Sequence, residues 1–358
     1  MKGLEKRLET LRTQMRERQI EGILITSIPN RTYLSRFTGT AGILLITLSK
    51  AFLVTDGRYM TQARQQSPDF QVEMHDGNEF ERVAALCQQE SVQILSFEEE
   101  HLTYAEYRIL LHLCHETQLV PIKGFVEELR LIKDDQELQA HQRAMRIVDQ
   151  VYEQMLEEIR PGNTEQEIAA RIEFLMRKMG ASGPSFATIV ASGHRSSLPH
   201  GIASEKIIHH NEMITFDFGC FVDGYVSDLT RTFFLGKPDE KHSEIYGIVL
   251  EAQEKTLETM RPGMTGKEVD QIARDVIESY GYGDFFRHGT GHGIGLEIHE
   301  APSLRLTSEE VLRPGMVVTV EPGIYLPNEF GVRIEDDVLI TESGAIRLTK
   351  ATKEFIAI

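Results

Sequence analysis

A chain of 358 residues, 41% hydrophobic and 26% charged, has the composition of a soluble globular protein and is long enough that two domains are expected. Its formal net charge of -17 repels phosphate backbones and argues against nucleic-acid partners. No apolar run approaches the ~18 residues that a membrane span needs. The segment Met1-Lys-Gly-Leu-Glu-Lys-Arg-Leu8 is charged and lacks an apolar core, so no secretory signal is expected. Three widely spaced cysteines, Cys87, Cys114 and Cys220, exclude a fully paired disulfide framework and suit a reducing cytoplasm. None has a CxxC neighbour, and all three are expected to be small core residues.

The first third alternates apolar runs with helical patterns. Leu4, Leu8, Leu11 and Met15 recur at helical spacing. Residues 22–26, 42–47, 51–55 and 92–96 predict strands. This alternation predicts an α/β domain. The Pro121-Ile-Lys-Gly124 punctuation places its end near residue 123, with a second domain over 124–358.

The second domain opens with a long helical pattern from about Asp134 to Ile159. Arg160-Pro-Gly follows, then a capping box of Thr164 and Glu167, and a helix expected to stop at Gly180. The same frame recurs 101 residues later as Arg261-Pro-Gly, Thr265 with Glu268, and Gly281. Such self-similarity marks a duplication. It predicts two halves of helix, helix and antiparallel sheet related by pseudo-twofold symmetry.

Each half carries a pair of acids in matched surroundings. The first reads Asp217-Phe-Gly219 and then Gly224-Tyr-Val-Ser-Asp228. The second reads Glu321-Pro-Gly323 and then Gly331-Val-Arg-Ile-Glu335. Asp217 and Glu321 end apolar strand patterns, where an unpaired carboxylate would be costly to bury. Salt bridges to Arg231 and Arg333 would account for one such acid. Four in two matched frames point instead to metal ligation.

Between the frames lies His288-Gly-Thr-Gly-His292-Gly-Ile-Gly-Leu-Glu-Ile-His299. The spacing of His288 and His292 would suit a helical metal pair. The four interleaved glycines, each costing about 1 kcal/mol inside a helix, favour a loop or strand that approaches a ligand closely. His200 sits in a second Pro-Gly setting, Leu198-Pro-His200-Gly201, and His209 and His210 are expected to be solvated or structural. Four carboxylates and an imidazole form an oxygen-rich set. It favours two divalent ions, Mn²⁺ first, with Co²⁺ or Zn²⁺ as alternatives, activating a water for attack on an acyl or phosphoryl centre.

These motifs, from Asp217 and Asp228 through the histidine-glycine run to Glu321-Pro-Gly and Arg333-Ile-Glu335, closely resemble the pita-bread metallopeptidases, family M24. That family includes methionine aminopeptidase, aminopeptidase P and prolidase. The segments Asn30-Arg-Thr-Tyr33-Leu34-Ser-Arg-Phe37-Thr-Gly39 and Thr55-Asp-Gly-Arg58-Tyr59 resemble the creatinase-type N-terminal domain of its proline-specific branch, as does Ser192-Gly-His-Arg-Ser-Ser-Leu-Pro-His200-Gly. The resemblance implies a creatinase-like α/β domain followed by an α+β pita-bread domain. It also implies a site in which Asp217 holds one metal, Asp228 and Glu335 bridge both, and His292 and Glu321 complete the second. Glu321 would act as general acid and base. His299 and His200 would line the substrate site and stabilise the carbonyl oxygen. His288 would serve the substrate pocket, and Arg333 would orient the carboxylates.

The implied substrates are peptides with proline second, cleaved by a cytoplasmic homodimer whose N-terminal domains limit access to the site. In several prolidases an arginine that binds a dipeptide's carboxylate lies four residues after the histidine matching His299. Ser303 stands there in this chain, although Arg305 is close by. That departure favours an aminopeptidase P-type enzyme over the alternative, an Xaa-Pro dipeptidase. Two remoter alternatives are a metal-free pita-bread binding module and a creatinase-like amidinohydrolase. The filled ligand set argues against both.

Overall fold

A computed structural model describes residues 2–358, which form two compact units, one up to Arg130 and one over Leu131–Ile358. The first unit is built on a six-stranded sheet. Its order across the sheet is Gln71–Met74, Ala51–Thr55, Ile43–Thr47, Gly22–Ile25, Ile94–Glu98 and Gln118–Ile122. The three strands from Gly22 to Thr55 pair antiparallel, and the remaining pairs are parallel. The four strands expected from sequence are the inner ones, whose residues are almost all buried. The two unforeseen strands are the edges. Their residues are half-buried or exposed, and one holds Pro121, which an edge tolerates. With no buried run to betray them, they carry no strong strand signature.

The boundary between units falls after Arg130 rather than at 123/124. The short helix Glu127–Arg130 is bonded into the first unit, which explains the difference. Arg130 donates to the Asn30 side-chain oxygen at 2.7 Å, and the Tyr33 hydroxyl donates to the Leu129 carbonyl at 3.0 Å.

In the second unit the duplication is visible bond by bond. Each half begins with a long helix, Asp135–Glu158 or Glu240–Thr259, followed by a shorter one, Glu165–Lys178 or Gly266–Ser279. Thr164 and Thr265 cap the shorter helices, each in a complete capping box. Beyond those helices, Gly180 and Gly281 adopt φ of 107° and 84°, as a left-handed stop requires. Gly162 and Gly263 donate from equivalent turns to Ile208 at 2.9 Å and Leu312 at 2.8 Å.

The acid frames are strand–hairpin–strand units. Asp217 lies near the end of Glu212–Phe218, and Gly219 opens a hairpin of Cys220–Val222 and Tyr225–Val226. A Cβ on Gly219 would stand 1.9 Å from the Ser227 carbonyl oxygen, so only glycine permits this approach. Asp223 and Gly224, both with positive φ, make the two-residue turn. The return path delivers Asp228 to the head of Leu229–Leu235, which pairs Thr230 with Asp217. The second half repeats the plan with strand Val317–Val320, hairpin strands Gly323–Leu326 and Phe330–Arg333, and strand Asp336–Thr341. The halves meet where Glu335 N donates to the Thr230 carbonyl at 3.1 Å and Asp228 N donates to the Asp337 carboxylate at 2.9 Å.

The two capping boxes allow a direct comparison of the halves. Thr164→Ala and Thr265→Ala should each destabilise the second unit by about 1 kcal/mol, read as a lowered urea midpoint. No loss in either variant would show that the caps are redundant with tertiary packing.

Candidate metal centre

The five predicted ligands and all four other predicted site residues line one cavity of about 700 Å³. Asp217 and Asp228 come from the first half, and Glu321 and Glu335 from the second. His292 is contributed by the short strand Gly291–Gly293. Its Nδ1–H donates to the Gly293 carbonyl at 3.1 Å, which leaves Nε2 free toward the acids. That nitrogen lies 3.4 Å from Glu321 Oε1 and 3.8 Å from Asp228 Oδ2. One ligand atom each from Asp228, His292 and Glu335 falls within a mutual 4.8 Å.

The acids raise one another's proton affinity. Burial pushes the carboxyl groups of Asp217, Asp228 and Glu335 above their ordinary range. The charges of Glu335 and Asp217 add to this at Asp228, and those of Glu321 and Asp217 add to it at Glu335. Burial takes Glu321 to about 8, with Arg333 opposing. Burial has the reverse effect on the imidazoles, holding His292 neutral at about 4 with help from His299. Asp228 Oδ1 and Glu335 Oε1 are buried without a hydrogen-bond partner. An unsatisfied buried carboxylate oxygen is costly, and a divalent cation between these acids would satisfy both. Charge, donor type and geometry therefore fit a metal.

Arg333 is the counter-charge already in place. It donates to Asp217, to the Tyr325 hydroxyl at 2.8 Å and to the Pro199 carbonyl at 3.1 Å. So Asp217 does have a salt bridge, as the simpler alternative required. Arg231, in contrast, forms no ion pair with the candidate ligand carboxylates. It pairs with Asp336 at 2.7 Å, and both side chains are fully buried. The Tyr325 hydroxyl donates to His288 Nε2 at 2.9 Å, and the His288 Nδ1–H donates to the Gly289 carbonyl at 2.8 Å. Burial, aided by Arg333, holds His288 neutral at about 3. His299 packs edge-on against His292 with ring centroids 4.4 Å apart, and its proton affinity is also lowered, by burial and by His200. His200 reaches the same cavity from an exposed loop position.

Sequence reasoning missed three residues of this network. Tyr325 had no motif to mark it. Thr230, which donates to Glu335 Oε2 at 2.6 Å, lay between two flagged residues. Asp337 continues the acid run after Glu335, and only burial separates it from surface carboxylates.

A mutually repelling carboxylate set with a neutral imidazole, joined across two pseudo-symmetric halves, defines a metal-dependent hydrolase. Comparison with known proteins specifies it further. Residues 139–342 match the metallopeptidase family M24, and residues 7–132 match the creatinase/prolidase N-terminal domain. The chain is 41% identical to an Xaa-Pro dipeptidase of Pyrococcus furiosus, over 99% of this chain and all of that one. A solved structure of an Xaa-Pro dipeptidase from Bacillus anthracis superposes with a TM-score of 0.97 at 46% identity, covering 99% of this chain and 100% of that one. An X-Pro aminopeptidase structure from Thermotoga maritima gives 0.90 at 37% identity, covering 96% and 100%. The chain belongs to metallopeptidase family M24 and is a hydrolytic peptidase that uses a divalent metal.

The raised acids set a direction for stability. Glu321, moved from 4.5 to about 8, favours the metal-free fold only while protonated, so its contribution is lost as pH rises through that window. A divalent ion binds the deprotonated form. The thermal shift between metal-loaded and chelator-treated protein should therefore grow as pH rises from 4.5 toward about 8. A shift that is flat or shrinking over this range would refute the coupling.

Proposed function

We propose that the protein is an Xaa-Pro dipeptidase, hydrolysing the bond between an N-terminal residue and a following proline. The observation that carries the dipeptidase over the aminopeptidase P expected from Ser303 is full-length similarity to two proteins named Xaa-Pro dipeptidase. The cavity supports the same choice. Ser303 is occupied with Glu310, which accepts from its N–H at 2.8 Å and its hydroxyl at 3.3 Å. Arg305 lines the cavity, and its side chain makes no hydrogen bond or ion pair among the described residues. A guanidinium in that place supplies the charge that a dipeptide's carboxylate needs.

Asp217, Asp228, His292, Glu321 and Glu335 would hold the divalent metal. When bound, the metal would supply Lewis-acid polarisation of the scissile carbonyl and acidify a water. Glu321, with its raised proton affinity, would take a proton from the attacking water and deliver it to the proline nitrogen, which must leave as an amine. The imidazoles of His299 and His200 donate to the carbonyl oxygen as charge builds on it. Arg333 fixes Asp217, and through Tyr325 it fixes His288 at the pocket wall. An Xaa-Pro bond has no amide N–H, so shape and these groups must recognise it.

The ligand set favours Mn²⁺. Three buried, unpaired cysteines suit a reducing cytoplasm. The homodimer implied by the family resemblance completes the proposal and is open to sedimentation analysis.

Glu321→Gln should abolish turnover of an Xaa-Pro dipeptide while leaving the fold intact. Near-normal turnover would remove Glu321 from the mechanism. With Mn²⁺ present, an Xaa-Pro dipeptide should be cleaved in clear preference to an Xaa-Pro-Yaa tripeptide, and the opposite preference would restore the aminopeptidase. Arg305→Ala should raise KM for the dipeptide roughly 10-fold or more while sparing kcat. An unchanged KM would show that the carboxylate is read elsewhere.

A further inference from the structure

The loop that carries His200 is closed by a single buried carboxylate outside the metal centre. Glu165 opens the helix Glu165–Lys178 and is fully buried. Its Oε1 accepts from the Ser192 N–H at 2.8 Å and the Ser192 hydroxyl at 2.9 Å. Its Oε2 accepts from Arg195 Nε at 2.9 Å, the Ser204 N–H at 3.1 Å and the Ser204 hydroxyl at 2.7 Å. Ser192 and Ser204 bracket the loop, so one side chain ties both of its ends to the helix. On the opposite side Arg333 holds the Pro199 carbonyl at 3.1 Å, next to His200. The His200 side chain itself is exposed, and its position depends on how firmly the loop is held.

The duplicated fold does not demand this clasp. At the matching place in the second half stands Gly266, where a Cβ would come within 2.0 Å of the Ser303 carbonyl oxygen. Both halves keep the same backbone tie from this position: Glu165 N donates to the Lys206 carbonyl at 3.0 Å, and Gly266 N to the Glu310 carbonyl at 2.8 Å. A buried carboxylate needs several donors to offset its desolvation. It has been placed in the half whose loop presents an exposed histidine.

We propose that Glu165 is a positioning residue for catalysis, acting through His200 by fixing the loop between Ser192 and Ser204. Ordering a loop costs backbone entropy. With the clasp in place that cost is met on folding, and substrate meets an imidazole already in position. The proposal rests on the role given to His200 above.

The test is a double-mutant cycle in kcat/KM with Glu165→Gln, His200→Ala and the pair, with metal content and melting temperature measured for each protein. The glutamine variant should lose roughly 10- to 100-fold in kcat/KM with metal content unchanged. In the His200→Ala background the same substitution should lose little more. An equal loss in both backgrounds, or unchanged activity in either single variant, would overturn the proposal. If Glu165→Gln does not fold, Ser204→Ala removes one of the five donors and enters the same cycle with a smaller expected loss. The cycle is run on whichever peptide the wild-type enzyme hydrolyses. Failure of the Xaa-Pro assignment then shows in the choice of substrate, and failure of the clasp shows in the ratio.

Discussion

Four carboxylates that repel one another are held together in a buried place, and much of the second unit is arranged around that conflict. Asp228 and Glu335 lie almost out of solvent, each with an oxygen that no hydrogen bond satisfies. Left alone, such a cluster would take up protons or open the fold. Arg333 neutralises part of the charge from one side, and a divalent cation is the natural counter-charge on the other. On the proposed function, this repulsion is what a bound cation relieves.

The duplication makes the cluster attainable. One acid-bearing hairpin repeated twice brings two pairs of carboxylates to a common line without any long chain excursion. The glycines serve close approach more than flexibility. Gly219 and Gly291 would place a Cβ 1.9 Å and 2.1 Å from backbone oxygens of Ser227 and Thr319. The symmetry is then broken by what each half adds. The second contributes the histidine-glycine run, whose neutral imidazoles can ligate or donate. The first contributes the His200 loop. Its carboxylate clasp has no counterpart at Gly266.

Buried ion pairs behind the site keep the ligand strands in place. Arg231 donates to the Thr230 carbonyl at 2.9 Å and to the Glu335 carbonyl while pairing with Asp336. It therefore joins the two halves two residues beyond the candidate ligand Asp228 on one strand and at the candidate ligand Glu335 on the other. Asp270, fully buried, accepts from the Thr290 N–H and hydroxyl, both at 2.8 Å, and so fixes the start of the histidine run. These groups carry no chemistry themselves, but they determine where the chemistry sits.

What could be read from the sequence was local. The inner strands, the capping boxes, the left-handed glycines and the acid frames are each encoded within a few residues, by propensity and spacing that need no partner. The candidate ligand set could be proposed from sequence because metal chemistry demands particular atoms, and a duplicated frame shows them twice. The edge strands and the Arg130 boundary were not legible, because their stability comes from contacts rather than from their own pattern. Partner choice was likewise hidden. Arg333 pairs with Asp217 across 116 residues and Arg231 with Asp336 across 105, while Ser303 turns to Glu310 and leaves Arg305 to the cavity. The sequence alone determined which atoms could bind metal. Only the tertiary structure decided which charges face one another, because that depends on burial and on distances spanning the whole fold.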